Sequence, residues 1–376
     1  MPSFYEFFAG GGMARAGLGA GWNCLFANDY DGKKVGSYRE NWGSSEVVEA
    51  DVNDVDAATL PGYADLIWAS FPCQDLSLAG GGAGLKGSRS GTFWPFWTQV
   101  QNLTSQGRKP HLVVLENVTG MLSSHKGKDF QAICRALDDG GYRFGAVVVD
   151  ATHFVPQSRK RVFIVGVAAE SFSDEFVQSE PHDVWHPKPL RTAHSHLDAD
   201  LQTAWVWWQL PSAPTRRLNF IDVFEENPTD VAWHSPEETG KLLNMMSDRN
   251  RRKLEEAKRS GDRVVGTLYR RTRPSPAGGV QRAEVRFDGT AGCLRTPSGG
   301  SSRQIVICSD SDGVRSRLIS AREAARVMGL PDEYRLPANY NDAYHLLGDG
   351  LAVPAVGFVA NNLLSPLAKI EFARAA

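Results

Sequence analysis

The sequence lacks the features of a secreted, disulfide-bonded or membrane-spanning chain. Its 376 residues include only five cysteines, an odd number without close pairing, which argues against a disulfide framework and for a reducing compartment. No uninterrupted apolar run approaches the roughly 20 residues that are needed to span a bilayer. The first residues have no basic segment leading into an apolar stretch, as a secretory signal would. We therefore predict a cytoplasmic protein without a membrane partner.

The chain also lacks the net positive charge that is common among nucleic-acid-binding proteins. Its formal net charge is −2 at pH 7. The charges are unevenly distributed, however, because 14 lysines and arginines stand against five acidic residues between Arg249 and Arg303. Such a local excess is enough to bind phosphates, since counterions are released wherever the basic patch lies. A solvated helix face is the alternative, because Glu255 and Glu256 lie within the same stretch.

Short apolar runs alternate with amphipathic stretches over the first 170 residues. The runs are typical of strands covered on both faces, and they predict strands at Ser3–Phe8, Trp22–Ala27, Ala64–Ser70, His111–Leu115, Gly145–Asp150 and Arg161–Val167. Apolar residues at helical spacing predict helices at Met13–Ala20, Asp31–Trp42 and Phe130–Leu137. This alternation predicts an α/β fold with a doubly wound, mostly parallel sheet.

The alternation ends near Phe172, where a second domain is predicted to begin. The segment that follows is irregular and proline-rich, and its tryptophans at 205, 207 and 208 favour the core of a small domain over a base-stacking surface. Ser320 to Glu323 is a capping box, which predicts a helix that ends near Gly329. We predict a first domain over residues 1–171, an inserted domain over 172–312, and a C-terminal segment over 313–376 that completes the first domain.

Three predicted strand ends carry residues suited to an adenosine, at the edge where doubly wound sheets bind ligands. The glycines of Ala9-Gly10-Gly11-Gly12 permit close backbone approach, although a plain tight turn is the alternative. Their spacing is not Gly-x-Gly-x-x-Gly, which counts against a dinucleotide oxidoreductase. Asp29 can bind ribose hydroxyls, Tyr30 can stack on a base, and Asp51 can accept from an adenine amino group. Two acids without a phosphate site predict S-adenosyl-L-methionine.

A thiol and a carboxyl group follow the next two predicted strands. Cys73 lies on a loop before a glycine-rich segment; most lone cysteines are buried hydrophobes, but this position favours a nucleophile on a closing loop. Glu116 directly follows the fifth strand, and such a pair can activate a pyrimidine ring, because the thiolate adds at C6 while the acid protonates N3. Arg159 and Arg161 share one face and can hold a base carbonyl or the thiol loop; a strand edge bound to carboxylates is the alternative.

These motifs, in this order, resemble the cytosine-5 DNA methyltransferase family over nearly the whole chain. The matching segments are Phe8-Ala9-Gly10-Gly11-Gly12, Phe71-Pro72-Cys73-Gln74, Glu116-Asn117-Val118, Gln157-Ser158-Arg159-Lys160-Arg161, Arg317 to Pro331, and Gly348-Asp349-Gly350-Leu351-Ala352-Val353-Pro354. The glycine motif is unspecific by itself. Pro-Cys-Gln, Glu-Asn-Val and Gln-x-Arg-x-Arg in that order are very specific.

The resemblance implies a Rossmann-like S-adenosylmethionine-dependent methyltransferase with an inserted target-recognition domain that reads duplex DNA. It implies that Cys73 adds to C6 of a flipped cytosine, that Glu116 bonds N3 and the 4-amino group, that Arg161 holds O2, and that Arg159 supports the catalytic loop. The predicted cofactor residues are Phe8, Ala9, Gly10, Gly11, Gly12, Asp29, Tyr30, Asp51, Phe71, Pro72, Asp349 and Leu351. The predicted DNA contacts are Gln74, Ser77, Asn117, Gln157, Ser298, Gly299, Gly300 and Arg303. No metal site is predicted.

Three residues depart from the family pattern. Met13 stands where many members have glycine, and Ser70 replaces the common glycine before Phe-Pro-Cys. Asp349 replaces the usual asparagine of the last motif. We expect Asp349 to change cofactor binding modestly without abolishing catalysis.

Two other functions stay open. Some relatives with these motifs methylate transfer RNA, but an insert of well over 100 residues favours duplex DNA. A catalytically silent DNA-binding subunit would share the fold, but the presence of Cys73, Glu116, Arg159 and Arg161 favours an enzyme. We predict a monomer that acts on double-stranded DNA in the nucleoid, with a separate cognate restriction endonuclease as a further partner.

Overall fold

A seven-stranded sheet is built from the apolar runs of the first 170 residues. Its strands are β1 (Ser3–Phe7), β2 (Asn23–Asp29), β3 (Val47–Glu49), β4 (Leu66–Ala69), β5 (Leu112–Val118), β6 (Tyr142–Asp150) and β7 (Lys160–Ala168). Their order across the sheet is β3-β2-β1-β4-β5-β7-β6. Neighbouring strands pair parallel except at β7, which pairs antiparallel with β5 and β6. The prediction of a doubly wound, mostly parallel sheet is therefore confirmed.

The computed structural model describes residues 1–72, 90–275, 278–296 and 303–369. Within them the chain divides into two units, of which the first comprises the described parts of Met1–Asp150, Lys160–Ala213 and Ala355–Ala376. The second unit comprises those of Ala151–Arg159 and Pro214–Pro354. The predicted boundaries at residues 172 and 312 do not coincide with these units, because residues 172–213 pack with the first sheet and residues 313–354 with the second unit.

The order in which the chain adds strands to the sheet reverses between β1 and β4. From β1 the chain proceeds outward through β2 to β3, and it then returns to add β4 on the other side of β1. The carboxyl ends of β1 and β4 flank the point where the order reverses, which is where open α/β sheets bind their ligands. Residues 8–12 follow β1 and Phe71 follows β4, so two of the predicted motifs lie at this point.

Helices cover the sheet of the first unit. They are α1 (Met13–Leu18), α2 (Gly32–Trp42), α3 (Phe93–Ser105), α4 (Lys128–Asp139), α5 (Lys188–Ser195) and α6 (Ala199–Ala204). Asp31 caps α2 by accepting from the backbone N–H groups of Lys33 and Lys34. In α4 the apolar residues at helical spacing are all buried, namely Phe130, Ile133, Cys134 and Leu137. The prediction that these four residues share one core-facing side is confirmed.

The tryptophan cluster belongs to the core of the first unit, not to that of a small domain as predicted. Two short strands, β8 (Val177–Gln178) and β9 (Trp207–Trp208), follow β7. The backbone N–H of Val206 donates to Phe144 O at 2.8 Å, and Trp208 Nε1 donates to Val165 O at 3.2 Å. Trp205 packs edge-on against Phe144 within the same hydrophobic core. These bonds attach the segment to the first sheet, which the change in sequence pattern near residue 172 did not indicate.

The second unit contains a four-stranded antiparallel sheet where an irregular segment was predicted. Its strands are β10 (Val264–Ser275), β11 (Gly278–Arg286), β12 (Ile305–Asp310) and β13 (Gly313–Leu318), in the order β11-β10-β12-β13. Its helices are α7 (Phe220–Val223), α8 (Pro236–Asn244), α9 (Asp248–Arg259), α10 (Ala321–Arg326) and α11 (Tyr340–Asp349). The next helix, α12 (Val353–Val359), begins at the end of this unit. The prediction was wrong because β10 and β11 carry several charged residues and bury few side chains.

A fully buried ion pair anchors the start of α10. Glu323 and Ser320 form the predicted capping box, which is confirmed, although α10 ends at Arg326 and not near Gly329. Both terminal nitrogens of Arg317 donate to the Glu323 carboxylate at 2.7 Å, and both side chains have no solvent exposure. The Arg317 guanidinium also lies 5.0 Å from the ring centre of Trp233. The pair therefore joins three separate segments of the second unit.

One stretch, Tyr340–Lys369, is long and apolar enough to cross a membrane by length and composition alone. Within its apolar window, 56% is buried inside the protein. The core helices of soluble proteins pass the same test, so this stretch is weak evidence for a membrane span.

We expect Glu323→Gln to destabilise the second unit by about 3–5 kcal/mol, because it leaves the buried Arg317 guanidinium without its counter-charge. Urea unfolding followed by tryptophan fluorescence measures the effect. The matched control is Asp332→Asn, which removes a partly exposed ion pair with Arg326 and should not shift the midpoint measurably. Equal midpoints for the two variants would show that the buried pair contributes little.

Candidate functional site

The turn after β1 has a strained backbone that is held by its neighbours. Phe8 has a φ of 58°, a left-handed conformation that is unusual for a bulky residue, and Gly12 has a φ of 77°. A Cβ on Gly12 would lie 2.3 Å from Trp42 Nε1, which donates to Gly11 O, so only glycine fits there. Left-handed non-glycine residues are concentrated at functional sites. The glycine motif therefore forms a shaped turn, with Trp42 as a contributor that the sequence pattern did not indicate.

Asp29 ties the end of β2 to this turn. Its Oδ2 accepts from the backbone N–H of Gly10 at 2.9 Å, and its Oδ1 accepts from that of Asp31 at the same distance. Asp29 is buried, and burial raises the pKa of its carboxyl group above the ordinary value. Tyr30 beside it is 64% exposed, so its ring is free of the protein core. Asp51 caps the short helical turn after β3 by accepting from the backbone N–H of Asn53.

Glu6 is a functional candidate that sequence reasoning missed. It lies in β1 and is buried, and burial raises the pKa of its carboxyl group to about 8. Its Oε2 has no hydrogen-bond partner among the described residues, and the same is true of the buried Oδ1 of Asn28 on the neighbouring strand. A carboxyl group inside an apolar strand was the available signal, because such a group is rarely buried without a specific role.

Glu116 and Arg161 form an ion pair across β5 and β7. Arg161 Nε lies 3.1 Å from Glu116 Oε1, with side-chain exposures of 16% and 7% respectively. Glu116 is inside β5, opposite Phe163 of β7, and does not follow the strand as predicted. The strand is longer because its antiparallel pairing with β7 continues to Val118. Arg161 is opposite Val118, two positions along, so the two side chains meet near the end of β5.

Asn117 fixes the chain immediately before the predicted nucleophile. Its Nδ2 donates to Phe71 O at 3.1 Å, and its Oδ1 accepts from the backbone N–H of Val118 at 2.9 Å. Asn117 is buried, and Phe71 packs on Phe93 in the core. The side chain predicted to contact DNA is therefore used within the protein, where it connects β5 to the residues after β4. Cys73, Gln74, Ser77, Ser298, Gly299 and Gly300 lie outside the described residues.

Comparison with known proteins decides the family. The family model described as C-5 cytosine-specific DNA methylase matches residues 3–365, which is almost the entire chain. The chain belongs to this family. It is therefore a DNA (cytosine-5-)-methyltransferase, and the family implies methylation that depends on S-adenosylmethionine.

Individual relatives agree with this assignment. The methylase is 25% identical over 375 residues to Type II methyltransferase M.NlaX of Neisseria lactamica, with 99% of each chain covered. It is 26% identical over 366 residues to Type II methyltransferase M.HhaI of Haemophilus parahaemolyticus, covering 97% of this chain and 94% of that protein. The crystal structure of the S. pombe Dnmt2 methyltransferase has the same fold, with a TM-score of 0.63 at 16% identity, covering 98% of this chain and 99% of that one.

Two residues of the Gln-x-Arg-x-Arg motif belong to the methylase's second unit and bind the backbone of other segments of that unit. Gln157 is fully buried; its Nε2 donates to Val327 O at 2.9 Å and its Oε1 accepts from the backbone N–H of Leu294 at 3.1 Å. Arg159, also buried, donates to Leu294 O at 3.1 Å and to Gly348 O at 3.0 Å. The sequence predicted Gln157 as a DNA contact and Arg159 as a support of the catalytic loop; the described contacts are structural ones.

Three further predicted residues, Asp349, Leu351 and Arg303, also lie in the second unit. Thr296 Oγ1 donates to Asp349 Oδ1, and Asp349 is the last residue of α11. Leu351 is buried. Arg303 donates to Asn341 Oδ1, and its guanidinium lies 5.7 Å from the ring centre of Tyr340. These roles in cofactor and DNA binding stay predictions.

We expect Glu6 to make the stability of the methylase depend on pH. Because burial raises the folded-state pKa from 4.5 to about 8, folding retains a proton that the unfolded chain releases over this range. The free energy of unfolding should therefore fall as pH rises from about 5 to about 8, by up to about 1.4 kcal/mol per pH unit, and level off above. Glu6→Gln should lose this decline.

Melting temperatures of the wild type and the variant between pH 5 and pH 9 test the expectation. The matched control is Glu40→Gln on the exposed side of α2, which should keep the wild-type pH profile. Parallel curves for the wild type and Glu6→Gln would contradict it.

Proposed function

We propose that the methylase methylates carbon 5 of a cytosine that is flipped out of a specific duplex DNA sequence, through a covalent bond between Cys73 and C6 of the base. The observation that carries the proposal is the Glu116–Arg161 pair at 3.1 Å near the carboxyl end of β5. Asn117, the residue after Glu116, binds the backbone two residues before Cys73. The Asn117 side chain thus connects the strand that carries Glu116 to the backbone that leads into Cys73.

The residues at the carboxyl ends of β1 and β2 fit S-adenosylmethionine. The buried oxygens of Glu6 and Asn28 without partners suit its cationic amino-acid end, and the carboxylate of Asp29 suits a ribose. Tyr30 offers an exposed ring to the adenine, and the left-handed turn at Phe8 to Gly12 allows close approach. When bound, the cofactor supplies the methyl group. Asp51, Phe71, Pro72, Asp349 and Leu351 complete the predicted set.

The chain's own residues activate the base. The Cys73 thiolate would add to C6, which breaks the C5–C6 double bond and places electron density on C5. Glu116 would donate a proton or hydrogen bond at N3 and accept from the 4-amino group, so that the charge developing on the ring is neutralised; such acid catalysis contributes typically 10²–10⁴-fold. Arg161 would hold Glu116 in place and bind O2. Once C5 carries the transferred methyl group, loss of the C5 proton would re-form the C5–C6 double bond and release the Cys73 thiolate.

The base must leave the duplex for this chemistry, because C6 is inaccessible within the stack. Flipping costs a few kcal/mol, which contacts to DNA must offset. The excess of basic residues between Arg249 and Arg303 supports duplex DNA as the partner. The relatives named Type II methyltransferases support a partnership with a separately acting restriction endonuclease.

We expect the wild type to form a covalent complex with duplex DNA in which every cytosine is replaced by 5-fluorocytosine, because fluorine at C5 prevents the final elimination. The complex should survive denaturing electrophoresis in the presence of S-adenosylmethionine. Cys73→Ser should form none, whereas Cys293→Ser, the matched cysteine control, should react normally. Glu116→Gln should slow adduct formation by about 10²–10⁴-fold.

The same assay with 5-fluorocytidine RNA separates the other functions. A complex with RNA alone would replace the DNA proposal by an RNA methyltransferase. The absence of a complex with either nucleic acid would contradict catalysis and favour a silent binding subunit.

We expect Asp349→Asn to weaken binding of S-adenosylmethionine by less than about tenfold and to keep turnover. Asp349 is the last residue of α11 and already accepts a hydrogen bond from Thr296, so we expect its charge to favour a nearby cation only weakly. Calorimetric titration measures the affinity for the cationic cofactor and for its product S-adenosylhomocysteine, which lacks the sulfonium charge. The substitution should change only the affinity for the cofactor. Unchanged affinity for both, with unchanged turnover, would dispose of the hypothesis.

A further inference from the structure

The β10–β11 pair in the second unit has one buried face and one charged face. Side chains alternate between the two faces of a strand. Leu268, Ala283 and Val285 point into the core of the second unit. The charged and aromatic residues at the alternate positions, which share the opposite face, are Tyr269, Arg271, Arg273, Arg282, Glu284 and Arg286. We call this set the arginine face.

The arginine face places like charges against each other. Arg271 is directly opposite Arg282 in the antiparallel register, and both side chains are exposed. Like charges at directly opposite positions destabilise a strand pair. Neither arginine has a carboxylate within ion-pair distance among the described residues. An arrangement that weakens the isolated sheet is expected where an anionic partner offsets the repulsion.

Two arginines of the arginine face, Arg273 and Arg271, are held in fixed orientations. Glu284 Oε1 accepts from Arg273 Nε at 2.6 Å and also pairs with its Nη2 at 2.5 Å. Glu284 Oε2 accepts from Tyr269 Oη at 2.8 Å, and the Arg271 guanidinium lies 5.0 Å from the centre of the Tyr269 ring. Burial acts to raise the pKa of Glu284, but the bonds from Tyr269 and Arg273 hold this pKa below its ordinary value. Glu284 thus orients both arginines.

The bond to Glu284 leaves one edge of Arg273 available. The carboxylate occupies the Nε–Nη2 edge, so the end formed by Nη1 and Nη2 still presents two parallel donors. The Arg273 side chain is 47% exposed. A guanidinium that is fixed along one edge and open at its end can bind two acceptors at once, as the O6 and N7 atoms of guanine require.

Helix α9 extends the arginine face into a groove. The backbone of Val285 on edge strand β11 is covered by α9, because its N–H donates to Asn250 Oδ1 at 3.2 Å and its carbonyl accepts from Lys253 Nζ at 3.3 Å. Arg249 and Lys253 line a groove of about 460 Å³ together with Arg273 and Arg282. A covered edge prevents pairing with another strand, so the groove suits a polyanion and not a β-strand.

We propose that the arginine face is the DNA-reading surface of the second unit, and that Arg273 is a specificity-determining residue that binds the O6/N7 edge of a guanine in the recognised sequence. The proposal rests on the proposed function. A two-stranded ribbon fits the major groove, and an arginine bidentate to guanine is the commonest specific contact there. Arg282, Arg249 and Lys253 would bind phosphates. This surface is distinct from the loop at residues 296–303 that the sequence indicated.

The test compares which cytosines the enzyme methylates in DNA of high sequence diversity, mapped by bisulfite sequencing after limited reaction. For Arg273→Ala we expect preference for guanine at one position to fall by roughly 5- to 150-fold, with other positions unchanged. Arg273→Lys keeps the charge but loses the two-donor fork, so it should relax the same position while largely retaining DNA affinity. Glu284→Gln should act in the same direction, because it loosens Arg273.

Two control variants distinguish base-specific recognition from a general effect of positive charge on DNA affinity. Arg282→Ala should weaken DNA binding uniformly across sequences and lower the salt slope by about 1, without changing the methylation profile. Arg270→Ala removes an arginine from the same strand on the opposite face, paired with Ala283, and should change neither. Circular dichroism and melting temperatures confirm that each variant is folded.

An unchanged methylation profile in Arg273→Ala and Arg273→Lys would overturn the proposal. So would a uniform loss of affinity in Arg273→Ala without a change in profile, which indicates a phosphate contact. Both results require a wild type that methylates DNA, so they are distinguishable from failure of the proposed function, in which no DNA is modified.

Discussion

The antiparallel direction of β7 is the constraint on which the site depends. Arg161 is the second residue of β7, and Glu116 is near the end of β5. If β7 were parallel to β5, its first residues would lie beside the start of β5 and far from the end of β5. Because β7 runs antiparallel to β5, the start of β7 meets the end of β5, and Glu116 acquires its guanidinium partner.

The same edge of the sheet collects the other groups of the first unit. The turn after β1, the carboxylate of Asp29 and the residues after β4 all follow carboxyl ends of parallel strands. A hydrogen bond joins each to its neighbour: Gly10 to Asp29, and Asn117 to Phe71. These bonds fix the backbone at the base of the site, and precise positioning of a reacting carbon requires such fixed groups.

The sequence predicted the first sheet well because its strands are continuous apolar runs, and such runs indicate burial by their composition alone. It did not predict the second sheet, since β11 buries only Ala283 and Val285 along nine residues. The contacts of Asn117 and Arg159 were missed for another reason. Each joins segments that are distant in the chain, and residue patterns do not encode which strands become neighbours. The position of Glu6, an acid within an apolar strand, was a signal in the sequence, but the sequence prediction did not include this residue.

Within the second unit, Gln157 and Arg159 bind other segments chiefly through main-chain groups, those of Leu294, Val327, Gly348 and Gly350. Main-chain carbonyls and amides are present whatever side chains a segment carries. Mutations can therefore accumulate in the side chains of these segments without breaking the bonds that hold the segments together. Such bonding lets natural selection vary the residues of this unit while its fold is inherited intact, which accords with relatives that share only about a quarter of their residues over nearly their full lengths.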